Sequence, residues 1–305
     1  MLFSIKGYPQ MNSPEIVIQG KKKDLGGFFV SRLLPTVQKR SVGPFIFLDH
    51  MGPLLVSQKH KLDVRPHPHI GLSTVTYLFS GAGLHRDSIG SEQIIVPGDI
   101  NWMTAGHGIV HSERTPQSIL ESPEETYLHG IQFWVGLPKD QEETNPSFIH
   151  YPSKDLPEFT VQGNLQCKLL MGEFLNYTSP VKASSRIFFV DFQALADATE
   201  SLRFAEKEMA IMCIEGELKV NEQVVAPDSM IVLDTKSVSA LTFTKGTRFI
   251  ALGGEPFPEP RYMWWNFVSS RKERIRQAAE DWKNQSMGKV PTETEFIPLP
   301  NDPLP

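Results

Sequence analysis

The chain has 305 residues, 40% of them hydrophobic and 21% charged, which is enough apolar side chain to build cores and excludes a wholly disordered polymer. At roughly 100–200 residues per domain, this length reads as two domains. Thirty Lys and Arg against 35 Asp and Glu leave a net charge of −5, split 13 against 14 over residues 1–150 and 17 against 21 beyond. The one basic run, Lys21-Lys22-Lys23, is short, so direct nucleic-acid binding is not expected.

Met1–Pro9 has no basic n-region and no long apolar stretch, so it does not read as a signal peptide. No run approaches 18 apolar residues, and no membrane span is expected. Short runs rich in β-branched and aromatic residues recur along the chain: Phe45–Leu48, Thr74–Phe79, Gln93–Val96, Ile131–Val135, Ile187–Val190, Ile211–Ile214, Met230–Leu233 and Thr247–Leu252. With 24 prolines and 22 glycines scattered as turn formers and no helical periods separating the runs, this pattern predicts an all-β sandwich or barrel. Two helices are expected. A short one would cover Ala194–Leu202. The other would begin at Ser270, with Glu273 completing a capping box, and run to about residue 285. Ile275, Ala278, Ala279 and Trp282 share one face of it, so it should pack on the body of the protein. Five prolines after Gly288 imply an extended tail.

A weak internal repeat organises the chain. Thr74–Leu84 followed by Ile94–Ile100 matches Ala210–Leu218 followed by Val224–Met230, each reading strand, Gly-containing turn, strand, Pro-containing turn, strand. Two β domains are therefore expected, residues 1–145 and 146–305, joined through the proline-rich stretch 136–160. Cys167 and Cys213 lie outside any CxxC and are too few for a disulfide framework, which suits a cytoplasmic protein; a monomer is expected.

All nine histidines fall in the first 150 residues, a placement that chance would produce about once in 500 chains. Whatever histidine does here, it does in the N-terminal unit. His67-Pro68-His69 sets two imidazoles at i and i+2, on one face of a strand and about 7 Å apart. His111-Ser112-Glu113 repeats the spacing with an imidazole and a carboxylate. A lone His-x-His is usually structural, but two same-face pairs within one strand–turn–strand unit are a stronger signal. If segments 64–70 and 108–114 pair as neighbouring strands, three neutral nitrogens and one anionic oxygen converge. Such a set suits one divalent first-row metal, Fe(II) first, with Mn, Ni, Cu or Zn as alternatives. It also leaves room for water, O2 or substrate on the ion. His107, in a Gly-rich turn before the second pair, is expected behind the ligands or at the pocket mouth. His50, beside Asp49, is expected as a pocket-wall donor or as a satisfied structural residue. His60 and His150 read as surface or linker residues, and His85 and His129 have no assignable role.

Longer motifs carry a resemblance. Val42-Gly-Pro-Phe-Ile-Phe-Leu-Asp-His-Met-Gly-Pro53, Arg65-Pro-His-Pro-His-Ile-Gly71 and Pro97-Gly-Asp-Ile-Asn-Trp-Met-Thr-Ala-Gly-His-Gly-Ile-Val-His-Ser-Glu113 resemble motifs of the pirin family of the cupin superfamily. Leu128-His-Gly-Ile-Gln-Phe-Trp-Val-Gly-Leu-Pro138 and Pro146-Ser-Phe-Ile-His-Tyr-Pro152 are similar to its next segments. An ordinary cupin has a Glu three or four residues beyond His-x-His, where this chain has Ser73 and Thr74; pirins depart from that pattern in the same way.

The resemblance implies a bicupin, two tandem β-sandwich barrels of which only the first holds metal, with iron the usual ion and His67, His69, His111 and Glu113 as its ligands. It also implies an enzyme similar to quercetin 2,3-dioxygenase, acting with O2 on a flavonol or comparable enediol-type small molecule, with Glu113 doubling as catalytic base. The alternative it implies is a metal- or redox-sensing regulator that works through a protein partner. Neither GxSxG, a P-loop nor a GxGxxG after a strand is present to suggest other chemistry.

Overall fold

The computed structural model describes residues 16–25, 28–205, 207–234 and 238–305; the Met1–Pro9 segment lies outside them. The expected all-β architecture is what forms. Four antiparallel sheets stack as two tandem barrels. The outer N-terminal sheet orders Asp63–His69, Ile109–Arg114, Gly83–Asp87 and Glu92–Ile95. It faces a seven-stranded inner sheet ordered Ser147–Tyr151, Ile100–Thr104, Leu72–Ser80, Tyr127–Gly136, Phe45–Leu55, Phe29–Leu34 and Lys21–Asp24. A second seven-stranded sheet, centred on Glu208–Glu215, Arg248–Gly254 and Ile187–Ala194, lies back to back with the first. A four-stranded sheet closes the C-terminal barrel.

Strand alternation explains why the central runs are apolar throughout. Ile131, Phe133 and Val135 point into the layer between the barrels, where they meet Phe189, Met212 and Leu252, whereas Gln132 and Trp134 point into the N-terminal barrel. On the other side Ala210, Met212 and Ile214 face the same layer, and Met209, Ile211 and Cys213 fill the C-terminal barrel. A sheet covered on both faces has no polar side to show. The C-terminal barrel is packed solid with Phe, Leu, Val and Ile. Burial pushes the thiols of Cys167 and Cys213 up to about 12, with Asp191 and Glu215 respectively adding to the effect, so both are inert core residues.

Three expectations are corrected. No helix forms over 194–202: the Ile187–Ala194 strand ends there, and Ala198–Arg203 is a strand paired with Val238–Phe243. Its alternation, with Glu200 and Leu202 buried and Thr199, Ser201 and Arg203 exposed, outweighs the helix propensity of its Ala, Leu and Glu. The C-terminal helix covers Lys272–Lys283 without the capping box, because Glu142 takes the Ser270 hydroxyl and amide and leaves Arg271 at the N-cap. Its predicted face, Ile275, Ala278, Ala279 and Trp282, is buried. The division at 145/146 is crossed from both ends. Ile16–Gln19 pairs with Ser229–Asp234 in the C-terminal barrel, while Ser147–Tyr151 and the C-terminal helix belong to the N-terminal one.

The helix and tail dock on the strands that carry the histidine pairs. Ile70 and Val110, each next to a histidine, pack against Phe267, Ile275 and Trp282. Gly71 has φ +68°, and a Cβ there would meet the Val268 carbonyl oxygen at 2.0 Å, so this close approach requires glycine. The tail is ordered by docking: the Ile297 amide donates to the Pro66 carbonyl at 2.8 Å, and Trp282 Nε1 donates to the Ile297 carbonyl at 3.0 Å. No helix among the described residues is long and apolar enough to cross a membrane.

Two contacts generate stability predictions. Glu142 is buried and accepts from Arg261, Ser269 and Ser270, tying the 140s loop to the C-terminal segment. Glu142→Ala strands a buried guanidinium that keeps only Glu259 and the Leu137 carbonyl, and is expected to lower the unfolding free energy in urea by about 3 kcal/mol. Between the barrels, His129 Nε2 sits 2.8 Å from His50 Nε2, and His50 Nδ1 bonds Asp228. Burial first, then the nearby His50 and Arg248, pull the His129 pKa from 6.5 down to about 4. In this interval the unfolded chain binds a proton that the folded chain does not. The unfolding free energy is therefore expected to fall as pH drops from about 6.5 to about 4, and to fall less steeply in His129→Gln.

Candidate metal centre

The Asp63–His69 and Ile109–Arg114 strands are neighbours, with Ile109 opposite His69 and His111 opposite His67. Alternation then turns His67, His69 and His111 to one side. Their ring centroids are 5.0, 4.3 and 5.0 Å apart, and one nitrogen from each lies within 4.8 Å of the others. Among the described residues this is the one cluster of its kind. A register irregularity between His111 and Glu113 re-aims the carboxylate. Glu113 stands outside the triangle of nitrogens: its Oε1 accepts from Gln132 Nε2 at 2.6 Å and from Thr76 Oγ1 at 3.4 Å. It lines the same cavity as His67.

The hydrogen bonds decide which nitrogens are free. His67 Nδ1 donates to the Arg65 carbonyl at 2.9 Å, leaving Nε2 as a lone-pair donor. On the Gly83–Asp87 strand, which pairs with Ile109–Arg114 on its other side, His85 Nε2 donates to Asp87 at 3.0 Å, so His85 Nδ1 accepts from His111 Nδ1 at 3.4 Å and His111 Nε2 is left with a lone pair. Burial pushes the Asp87 carboxyl up, but hydrogen bonds from His85 and Ser91 outweigh it and hold Asp87 below its ordinary value, as an anion. His111 Nε2 and His69 Nδ1 are buried with no hydrogen-bond partner in the protein, an arrangement that is rare unless something else satisfies the atoms. Burial is also the main reason that all three clustered histidines lie below the ordinary histidine pKa, so each is a neutral imidazole at neutral pH. Three neutral, convergent imidazoles, two of them with orphaned nitrogens, fit a divalent transition metal.

His67 lines a cavity of about 430 Å³. Its polar groups are Arg32, Asp49, His67, Glu113, Gln132 and Asn266. Phe47 and Trp134 stack on each other at 4.0 Å and 10° in the cavity wall, and Trp134 meets His69 edge to face at 5.0 Å. Trp265, Asn266 and Ile297 bring the C-terminal segment to the opening.

The structure gathers His67, His69 and His111, with Glu113 beside them; it places His50 and His107 elsewhere. His50 faces the layer between the barrels, because its neighbour Asp49 takes the cavity side of the strand. His107 has an exposed side chain and serves its turn through the backbone, accepting from Arg274. His150, expected on the surface, is half-buried against Asn101. His85 is the residue that sequence reasoning missed. Its same-face spacing to Asp87 was the available signal.

Residues 27–135 match the pirin family and residues 189–288 match the pirin C-terminal cupin domain. A pirin-like protein of Caulobacter vibrioides is 41% identical over 290 residues, 94% of this chain and 99% of its own length. The chain belongs to the pirin family. This pirin is also similar to a quercetin 2,3-dioxygenase from Acinetobacter baumannii, whose crystal structure matches at 37% identity and a TM-score of 0.87 over 95% of each chain. A Pseudomonas aeruginosa protein provisionally named as a quercetin 2,3-dioxygenase is 38% identical over 85% of this chain and 80% of its own.

Metal analysis checks the site. Protein as isolated is expected to hold close to one equivalent of a first-row metal, and His69→Ala or His111→Ala to hold almost none while keeping the wild-type far-ultraviolet circular dichroism.

Proposed function

We propose that this pirin is an iron-dependent dioxygenase that opens a flavonol or similar enediol-type ring with O2. The observation that carries the proposal is the placement of the cluster: three neutral, convergent histidines, of which His67 lines a 430 Å³ cavity that also has a carboxylate and aromatic side chains in its wall. The likeness to a quercetin 2,3-dioxygenase supports the substrate class.

His67, His69 and His111 would hold the ion, with Glu113 supplying the anionic oxygen. The bound ion supplies Lewis acidity and a redox change, the chemistry by which an electron-rich enediolate reacts with O2. The protein's own groups do the rest. Glu113, held by Gln132, accepts the proton of the substrate hydroxyl. Phe47 and Trp134 form part of the apolar wall along which a planar ring system packs. The apolar walls keep water from the deprotonated substrate, and the Asp87–His85 pair fixes the tautomer of His111.

The test is O2 uptake and carbon monoxide release with quercetin, on protein loaded in turn with Fe, Mn, Ni, Cu and Co. Turnover is expected with at least one metal. His67→Ala should abolish it, and Glu113→Gln should lower kcat by about a hundredfold or more. Absence of turnover with every metal would overturn the proposal.

A further inference from the structure

One row of side chains crosses the cavity face of the inner N-terminal sheet. Strand register sets Arg32 opposite Asp49, Asp49 opposite Gln132, and Gln132 opposite Thr76. At about 4.8 Å per strand, Arg32 stands roughly 10 Å from Gln132. The Gln132 end of the row is where Glu113 is held. At the other end Asp49 accepts from Arg32 Nε and Nη2, both at 2.8 Å. Asp49 is only 3% exposed, and the Arg32 guanidinium lies 4.3 Å over the ring of Phe47.

A charged pair inside a barrel is poor packing compared with apolar residues of similar size. The interior of the C-terminal barrel is instead filled largely by apolar side chains. What the pair offers is unspent hydrogen bonding directed at the cavity. Each Asp49 oxygen keeps a lone pair, and Arg32 Nη1 makes no hydrogen bond within the described residues. Acceptor and donor therefore stand side by side with no net charge. An anionic group would meet Asp49 and a cationic one would meet Arg32, so neutral groups that both donate and accept are favoured. Two adjacent hydroxyls on an aromatic ring meet this requirement: one O–H donates to Asp49, and the neighbouring oxygen accepts from Arg32.

We propose that Arg32 and Asp49 form the subsite for the far end of the substrate, selecting planar aromatic compounds that carry vicinal hydroxyls about 10 Å from the reacting end. The stacked side chains of Phe47 and Trp134 line the cavity beside the pair. The assignment presupposes the dioxygenase function proposed above and narrows its substrate.

Anaerobic, iron(II)-loaded protein is titrated with three flavonols whose pendant rings differ: quercetin with two adjacent hydroxyls, kaempferol with one and galangin with none. Quenching of tryptophan fluorescence reports binding, since Trp134 and Trp265 line the cavity. Quercetin is expected to bind about tenfold or more tighter than galangin, with kaempferol between them. Asp49→Asn and Arg32→Lys, checked for folding by circular dichroism, should compress that ratio to within about twofold. Equal wild-type affinities, or a preference that survives in both folded variants, overturns this subsite even if quercetin is turned over. Should either variant fail to fold, the wild-type order of affinities still decides. Protein that neither binds nor turns over any of the three overturns the dioxygenase proposal as well.

Discussion

Successive residues of a β-strand point to opposite faces, and the metal centre depends on that alternation being locked on two neighbouring strands at once. His67 and His69 face inward only while Pro68 and Ile70 do not, and His111 joins them only because it lies opposite His67. A slip of one residue would send the set to the other side of the sheet. The lock is apolar. Ile70 and Val110, the outward neighbours of two of the histidines, are held by Phe267 and the buried face of the C-terminal helix. A helix far away in sequence thus sets the register on which the cluster depends.

The same architecture appears twice with opposite interiors. In the C-terminal barrel, the inward positions are mostly apolar, with Phe, Leu, Ile and Val prominent, and they fill the space. In the N-terminal barrel, several equivalent inward positions are polar, and the space remains as a cavity. The apolar layer between the two inner sheets lets the first barrel tolerate this. Much of its hydrophobic stabilisation comes from the outside of its interior sheet, shared with its twin, so its inside is available for chemistry.

Burial and the mutual proximity of the rings favour neutral imidazole in the cluster and outweigh the opposite pull of Glu113 on His67. Burial opposes charge on the three rings, and each ring raises the difficulty of charging its neighbours. Asp87 stays ionised one residue further out, where it orients His85, and through it His111, without adding a proton acceptor to the cluster itself. Negative charge reaches the cavity through Glu113 and Asp49, and each is held by a donor from the inner sheet.

Much of this was legible in the residues alone. The all-β class, the two barrels, the buried face of the last helix and the paired histidines are all periodic patterns, and periodicity is a local property that survives without coordinates. Residues 194–202 misled because local helix propensity is weak beside pairing with a strand some forty residues away. Which of Asp49 and His50 faces the cavity could not be read either. Adjacent residues on a strand always part company, but only the placement of the sheet between two barrels says which side is the pocket. For the same reason Arg32 and Gln132 were invisible as site residues, and His85 showed only its spacing to Asp87: each is brought to the cavity or the cluster by strand order and register, which are long-range pairings. Sequence by itself determined what kinds of side chain each strand presents and at what spacing. Tertiary structure alone decided which of them meet, because convergence is a property of neighbouring strands and no single strand contains it.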